Sequence, residues 1–140
     1  MLDASVGVKW FSQRGEDSLP QALAIREGHL AGDVQVMVPD LFYYEVANAL
    51  VHKKDTPVEA IQSVVGDLFD LGLEAFPADT ELLAASATLA RQFGITVYDA
   101  CYIALAREQR CPLVTANPRH QRPDLGCRVI PIEEWRGDLP

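Results

Sequence analysis

Four short apolar runs, Leu2 to Ser5, Val34 to Val38, Leu73 to Phe76 and Cys111 to Thr115, are separated from one another by pairs of helical stretches; a fifth, Arg128 to Ile130, follows the last with no helix between. Strands separated by helix pairs favour a parallel sheet covered on both faces and reached by right-handed crossovers. The predicted order is βααβααβααββ, an α/β fold. Ser5 is the expected cap of a first helix opening over Val6 to Phe11, and Pro20 suits the first turn of a second that runs to Ala31. Pro39 and Asp40 start a third, through Lys54, and Thr56-Pro57 opens a fourth, to Leu71. Asp79 or Thr80 caps a fifth that ends at Phe93, where Gly94 stops it, and Thr96 caps a sixth over Val97 to Arg110. Asn117 to Gly126, with two prolines, reads as a long exposed loop. At 140 residues, without repeats or a Gly/Ser linker, the chain is expected to form one domain over residues 1–140.

Three carboxylates stand out against this frame. Asp3 is the only charge in Met1 to Val8, Glu45 in Leu41 to Val51 and Asp99 in Ile95 to Ala106. Taking a carboxylate out of water costs several kcal/mol unless a cation or hydrogen-bond donors replace the water, and none of these runs supplies a Lys or Arg. In open α/β sheets the ligand site lies beyond the carboxyl ends of the strands. Asp3 ends the first strand and Asn117 follows the fourth, while Glu45 and Asp99 lie early in helices that begin at the same edge. Four oxygen-bearing side chains are thus expected in one cleft, with Thr115 on the same side of its strand as Asn117 and able to support it.

Carboxylates gathered so closely repel one another unless a cation joins them, and magnesium or manganese prefers oxygen ligands while keeping open positions for phosphate and water. The chemistry that suits such a site is phosphodiester hydrolysis with a metal-activated water, since no His or Lys in these runs can act as base. Blander readings exist for each member: Asp3 and Asp99 as helix-start residues serving the macrodipole, Glu45 as an exposed helix glutamate.

Composition narrows the partners. With a net charge of −8 the chain offers no whole-surface attraction for nucleic acid, so contact with a polyanion needs a local basic patch or a metal bridge. Three cysteines without a CxxC pair and three scattered histidines indicate neither a disulfide framework nor zinc. No apolar stretch approaches the roughly 20 residues of a membrane span, and Asp3 stands where a signal peptide wants a basic start. A cytoplasmic protein without membrane contact is the expectation. Walker, dinucleotide-binding and nucleophile-elbow motifs are missing. Lys9 and Arg119 are possible phosphate contacts, with Arg14, Lys53, Lys54 and Arg122 weaker candidates; for each, solvated surface charge is the plainer role. Tyr43, Tyr44, Tyr98 and Tyr102 fall at helical spacings near the carboxylates, where core packing with a wet hydroxyl is expected rather than base stacking.

Taken together, Leu2-Asp3-Ala4-Ser5-Val6, the block from Pro39 to Leu50 around Glu45, Tyr98-Asp99-Ala100-Cys101 with the residues to Ala106, and Leu113-Val114-Thr115-Ala116-Asn117 resemble the PIN domain, specifically VapC-type ribonuclease toxins. The resemblance covers nearly the whole chain in order and spacing. It implies a three-layer α/β/α fold with a central, mainly parallel sheet of about five strands. It also implies a magnesium- or manganese-dependent endoribonuclease, held inactive by a cognate antitoxin, dimeric with itself and meeting DNA only through that antitoxin. Asp3, Glu45 and Asp99 match the family's acidic positions, Asp3 and Asp99 as direct metal ligands and Glu45 completing the shell, with Ser5, Thr115 and Asn117 in support. Most relatives carry Asp where this chain has Asn117, and the exchange removes one negative charge, so a second metal would bind less well. The alternative expectation is a catalytically weakened PIN-like module that acts mainly by binding its antitoxin and, as a complex, operator DNA.

Overall fold

Asp3, not Ser5, opens the first helix. In a computed structural model that describes residues 1–12, 17–53, 56–117 and 125–137, the Asp3 carboxylate accepts from the Ser5 N–H at 2.7 Å and caps helix α1, Ala4–Phe11. Both residue types are good caps, and the earlier one leaves no room for the strand expected over Leu2 to Ser5. What remains of that strand is a single parallel bridge from Leu2 to Val114.

The helices that follow are α2 (Leu19–Ala31), α3 (Leu41–Val51), α4 (Val58–Asp70), α5 (Thr80–Phe93) and α6 (Val97–Glu108). Their ends obey local chemistry. Asp79 accepts from the Leu82 N–H at 2.7 Å to start α5, which stops at Gly94 in the left-handed region, φ 66°. Thr96 caps α6 through the Asp99 N–H at 3.0 Å. At α4, by contrast, Pro57 itself holds the cap position and Thr56 does not cap. The expected end of α3 at Lys54 lies outside the described residues; the helix closes at Val51.

Four strands are present among the described residues: β1 (Met37–Pro39), β2 (Glu74–Phe76), β3 (Leu113–Thr115) and β4 (Val129–Pro131). They form two parallel ladders, Met37 opposite Glu74 in one and Leu113 opposite Val129 in the other. The amino-terminal segment lies between them. Leu2 N–H donates to the Met37 carbonyl and Asp3 N–H to the Val114 carbonyl, both at 3.0 Å, and Val114 N–H donates to Met1 at 2.9 Å. The first three strands are shorter than their apolar runs, because Val34 to Val36, Leu73 and Cys111 to Pro112 stay outside the ladders, whereas β4 is as long as its run and shifted by one residue.

The α/β class holds, with every pairing parallel among the described residues. Helix α6 packs on α5, β1 and β3, and Ala100 to Ala106 is buried without a break. Helix α1 sits between α2 and α3: Trp10 donates to the Ala22 carbonyl at 2.8 Å and its ring meets Phe42 at 6.1 Å between centroids. This position also buries Lys9, 8 % exposed, against the expectation of a solvated charge. Leu125 is likewise buried, so the expected exposed loop is anchored at its end, and residues 118–124 of that loop lie outside the described part.

Candidate active site

Parallel strands put their carboxyl ends on one edge, and the connections bring four segments there. The extended amino-terminal segment ends in Asp3, β1 leads into α3 and Glu45, and β3 leads to Asn117. Helix α6 feeds β3 from the opposite edge, so its first turn, with Asp99, lies at the carboxyl edge as well. Asp3, Glu45, Asp99 and Asn117 line one cleft of ≈ 230 Å³ together with Ser5 and Tyr102; Ala4, Val8 and Ala49 complete its lining.

Local structure positions each of these groups. Asp3 is 7 % exposed and serves two ends at once, capping α1 while facing the cleft; the macrodipole reading and the site reading of this residue are compatible. Asp99 is fixed in the first turn of α6 by the Thr96 cap. Ser5 Oγ accepts from the Ala116 N–H at 3.0 Å and lies 3.4 Å from Thr115 Oγ1, which accepts from the Asn117 N–H at 3.0 Å. Two hydroxyls thus hold the backbone that carries Asn117, with Thr115 beneath the cleft rather than in its lining.

Tyr102 is the residue that sequence reasoning placed only in the core. It is 2 % exposed, and its hydroxyl donates to Glu45 Oε2 at 2.6 Å. Burial first, then the negative charge of Glu45 and the bond to it, hold the phenol protonated far above its ordinary range. Its spacing of three from Asp99 on α6 puts both on one helix face; that spacing was the available signal. Tyr43 stacks instead on Phe69 at 4.3 Å, and Tyr44 and Tyr98 point into solvent. Lys9 does not line the cleft, and Arg119, with Arg14, Lys54 and Arg122, lies outside the described residues.

Chemically the cleft presents oxygen donors: three carboxylates, an amide and a hydroxyl of Ser5. Among the described residues no group of three or more His, Cys, Asp or Glu side chains stands close enough to hold a metal ion. No helix of the described residues is long and apolar enough to cross a membrane.

Comparison with known proteins gives two findings. The PIN domain family model matches residues 1–125. A solved structure, a toxin-antitoxin complex from Klebsiella pneumoniae, is similar over 96% of this chain and 98% of its own, with a TM-score of 0.68 at 19% identity; likeness at that identity speaks of the fold. No curated protein matches the chain.

Proposed function

The chain belongs to the PIN domain family, and on that footing we propose that it is a metal-dependent endoribonuclease, the VapC-type toxin of a toxin-antitoxin pair. The observation that carries this reading is the ≈ 230 Å³ cleft lined by Asp3, Glu45, Asp99 and Asn117, which come from four separate segments of chain. A donor set made of oxygens suits a hard divalent cation, magnesium or manganese. Asp3 and Asp99 would ligate it directly and Glu45 directly or through water. Bound there, such an ion supplies charge neutralisation at the phosphate and a water of lowered pKa.

The protein's own groups do the rest. Tyr102 keeps Glu45 in one orientation, the Ser5 N–H does the same for Asp3, and the Thr96 cap fixes the turn that carries Asp99. Among the described lining residues there is no His or Lys, so the carboxylates are the groups able to receive a proton from the attacking water. RNA is the substrate in this reading, met by phosphate contacts for which Arg119 remains the proposed candidate; Lys9, the other one, is buried and outside the cleft lining, so it would need a shift of α1 to reach a phosphate. The toxin works in the cytoplasm as a homodimer of one domain spanning residues 1–140, and touches DNA only through its antitoxin. A shared fold with a chain of a toxin-antitoxin complex accords with a protein partner of that kind.

A second reading, a catalytically weakened module acting mainly by binding its antitoxin, is favoured by the neutral Asn117 at the strand end, which brings one negative charge fewer to the cleft. Purified protein offered diverse RNAs with manganese or with EDTA separates the two. Cleavage that needs manganese supports the nuclease; manganese-independent cleavage, or none from any RNA, rejects it.

A further inference from the structure

At the opposite edge of the β3–β4 ladder lies a larger cleft, ≈ 420 Å³, which the carboxylate site does not use. It is lined by Arg107 and Arg110 at the end of α6, Arg128 before β4, and Cys111, Gly126 and Cys127. Its volume falls within the roughly 300–1,000 Å³ of small-molecule sites. In a chain of net charge −8, three of the twelve basic residues meet here, and among the described residues no acidic side chain lines the cleft.

The arginines are placed by local structure. Arg107 Nε donates to the Leu125 carbonyl at 2.5 Å. At Gly126, φ +73°, a Cβ would stand 2.6 Å from Arg107 Nη2 and 2.7 Å from Nε, so glycine is what lets the guanidinium lie against this backbone. Arg110 adopts a left-handed conformation, φ 52°, which side chains other than glycine's rarely take. Its N–H bonds the Arg107 carbonyl at 3.2 Å. The negative end of α6 accounts for cations at Arg107 and Arg110, but not for Arg128, which reaches the same cleft from another segment. Burial raises the Cys127 thiol above its usual range, so this side chain adds no opposing charge at neutral pH.

We infer that this cleft is a second binding site, which takes a phosphate group of a nucleotide or of an RNA end. Guanidinium forks match phosphate oxygens two at a time, and converging arginines bind that geometry better than scattered point charges. The length of β3 separates this site from Asp3 and Asp99, so it does not depend on the nuclease reading.

Calorimetric titration of the full chain tests the inference with inorganic phosphate, a nucleoside 5′-monophosphate, and a short RNA bearing either a 5′-phosphate or a 5′-hydroxyl. The RNA arms use the Asp99→Asn background to prevent cleavage. One saturable site is expected for a phosphate-bearing probe, at least tenfold weaker in Arg110→Gln and in Arg128→Gln, with thermal unfolding confirming that both variants are folded. Tighter binding of the 5′-phosphorylated RNA than of its 5′-hydroxyl form and of the monophosphate assigns the phosphate to RNA; tighter binding of the free monophosphate assigns it to a small molecule. Absence of saturable binding by every probe, or binding that both substitutions leave intact, overturns the inference.

Discussion

Tyr102 on α6 donates its hydroxyl to Glu45 on α3 at 2.6 Å, joining two cleft residues that are 57 positions apart in the chain. A hydrogen bond to a charged acceptor contributes roughly 1.5–3 kcal/mol, and this one restrains the carboxylate most open to alternative rotamers. In Tyr102→Phe the ring still fills its site, so the fold should persist while Glu45 loses its orienting donor. Manganese affinity or RNA cleavage should fall by about 10- to 100-fold, measured by calorimetry and gel assay beside an unchanged circular dichroism spectrum. Full activity in this variant would remove Tyr102 from the positioning of Glu45.

The same contact gives an alkaline signature. The folded-state pKa of Tyr102 is raised above its ordinary value, by burial and then by Glu45. Below pH 10 both folded and unfolded chains hold the proton, and the contribution is constant. Above it the unfolded chain releases a proton that the folded chain keeps, so stability falls by about 1.4 kcal/mol per pH unit for this group. Urea denaturation between pH 9 and pH 11 should show a steeper loss for the wild type than for Tyr102→Phe. Parallel curves would contradict the assignment.

Asp3 combines a helix cap with a place in the cleft, and two substitutions separate the roles. Asn caps as well as Asp but lacks the charge, so Asp3→Asn should abolish RNA cleavage while leaving stability within about 0.5 kcal/mol. Asp3→Ala should lose cleavage and, in addition, about 1 kcal/mol of stability. Chemical denaturation and a cleavage assay on both variants check this, and retained cleavage in Asp3→Asn would exclude the carboxylate from the chemistry.

What could be read in the sequence was what depends on near neighbours. The Asp79 and Thr96 caps and the Gly94 stop each rest on a few adjacent residues and appear where expected. The first cap was shifted because Asp3 and Ser5 are two good caps only two positions apart, and only the pairing of residues 1–3 with β1 and β3 decides between them. Convergence of Asp3, Glu45, Asp99 and Asn117 on one cleft followed from strand polarity, which the helix-pair spacing implied. The burial of Lys9 and the Tyr102–Glu45 bond were hidden for a common reason: both arise from packing between helices distant in sequence, and local periodicity carries no trace of it.

Gly7 sets the approach of α1 to α3. A Cβ there would overlap the Phe42 ring, standing 2.9 Å from Cε2, and would press Val46 at 3.2 Å. Since Asp3 and Glu45 ride on these two helices, Gly7→Ala should both destabilise, by about 1–3 kcal/mol from overpacking, and weaken manganese binding by widening the cleft. Urea denaturation and calorimetry read the two effects separately. A gain in stability, as the higher helix propensity of Ala alone would give, would show that the helices part without strain.

The most direct test of the central claim is a crystal structure of the protein soaked in manganese, with anomalous differences recorded at the carboxyl edge of the strands. The account predicts a manganese peak in the cleft, with oxygens of Asp3 and Asp99 at about 2.1–2.2 Å and Glu45 bound directly or through a water. A cleft without a manganese peak at saturating concentration, or manganese held only by residues other than these, would contradict it.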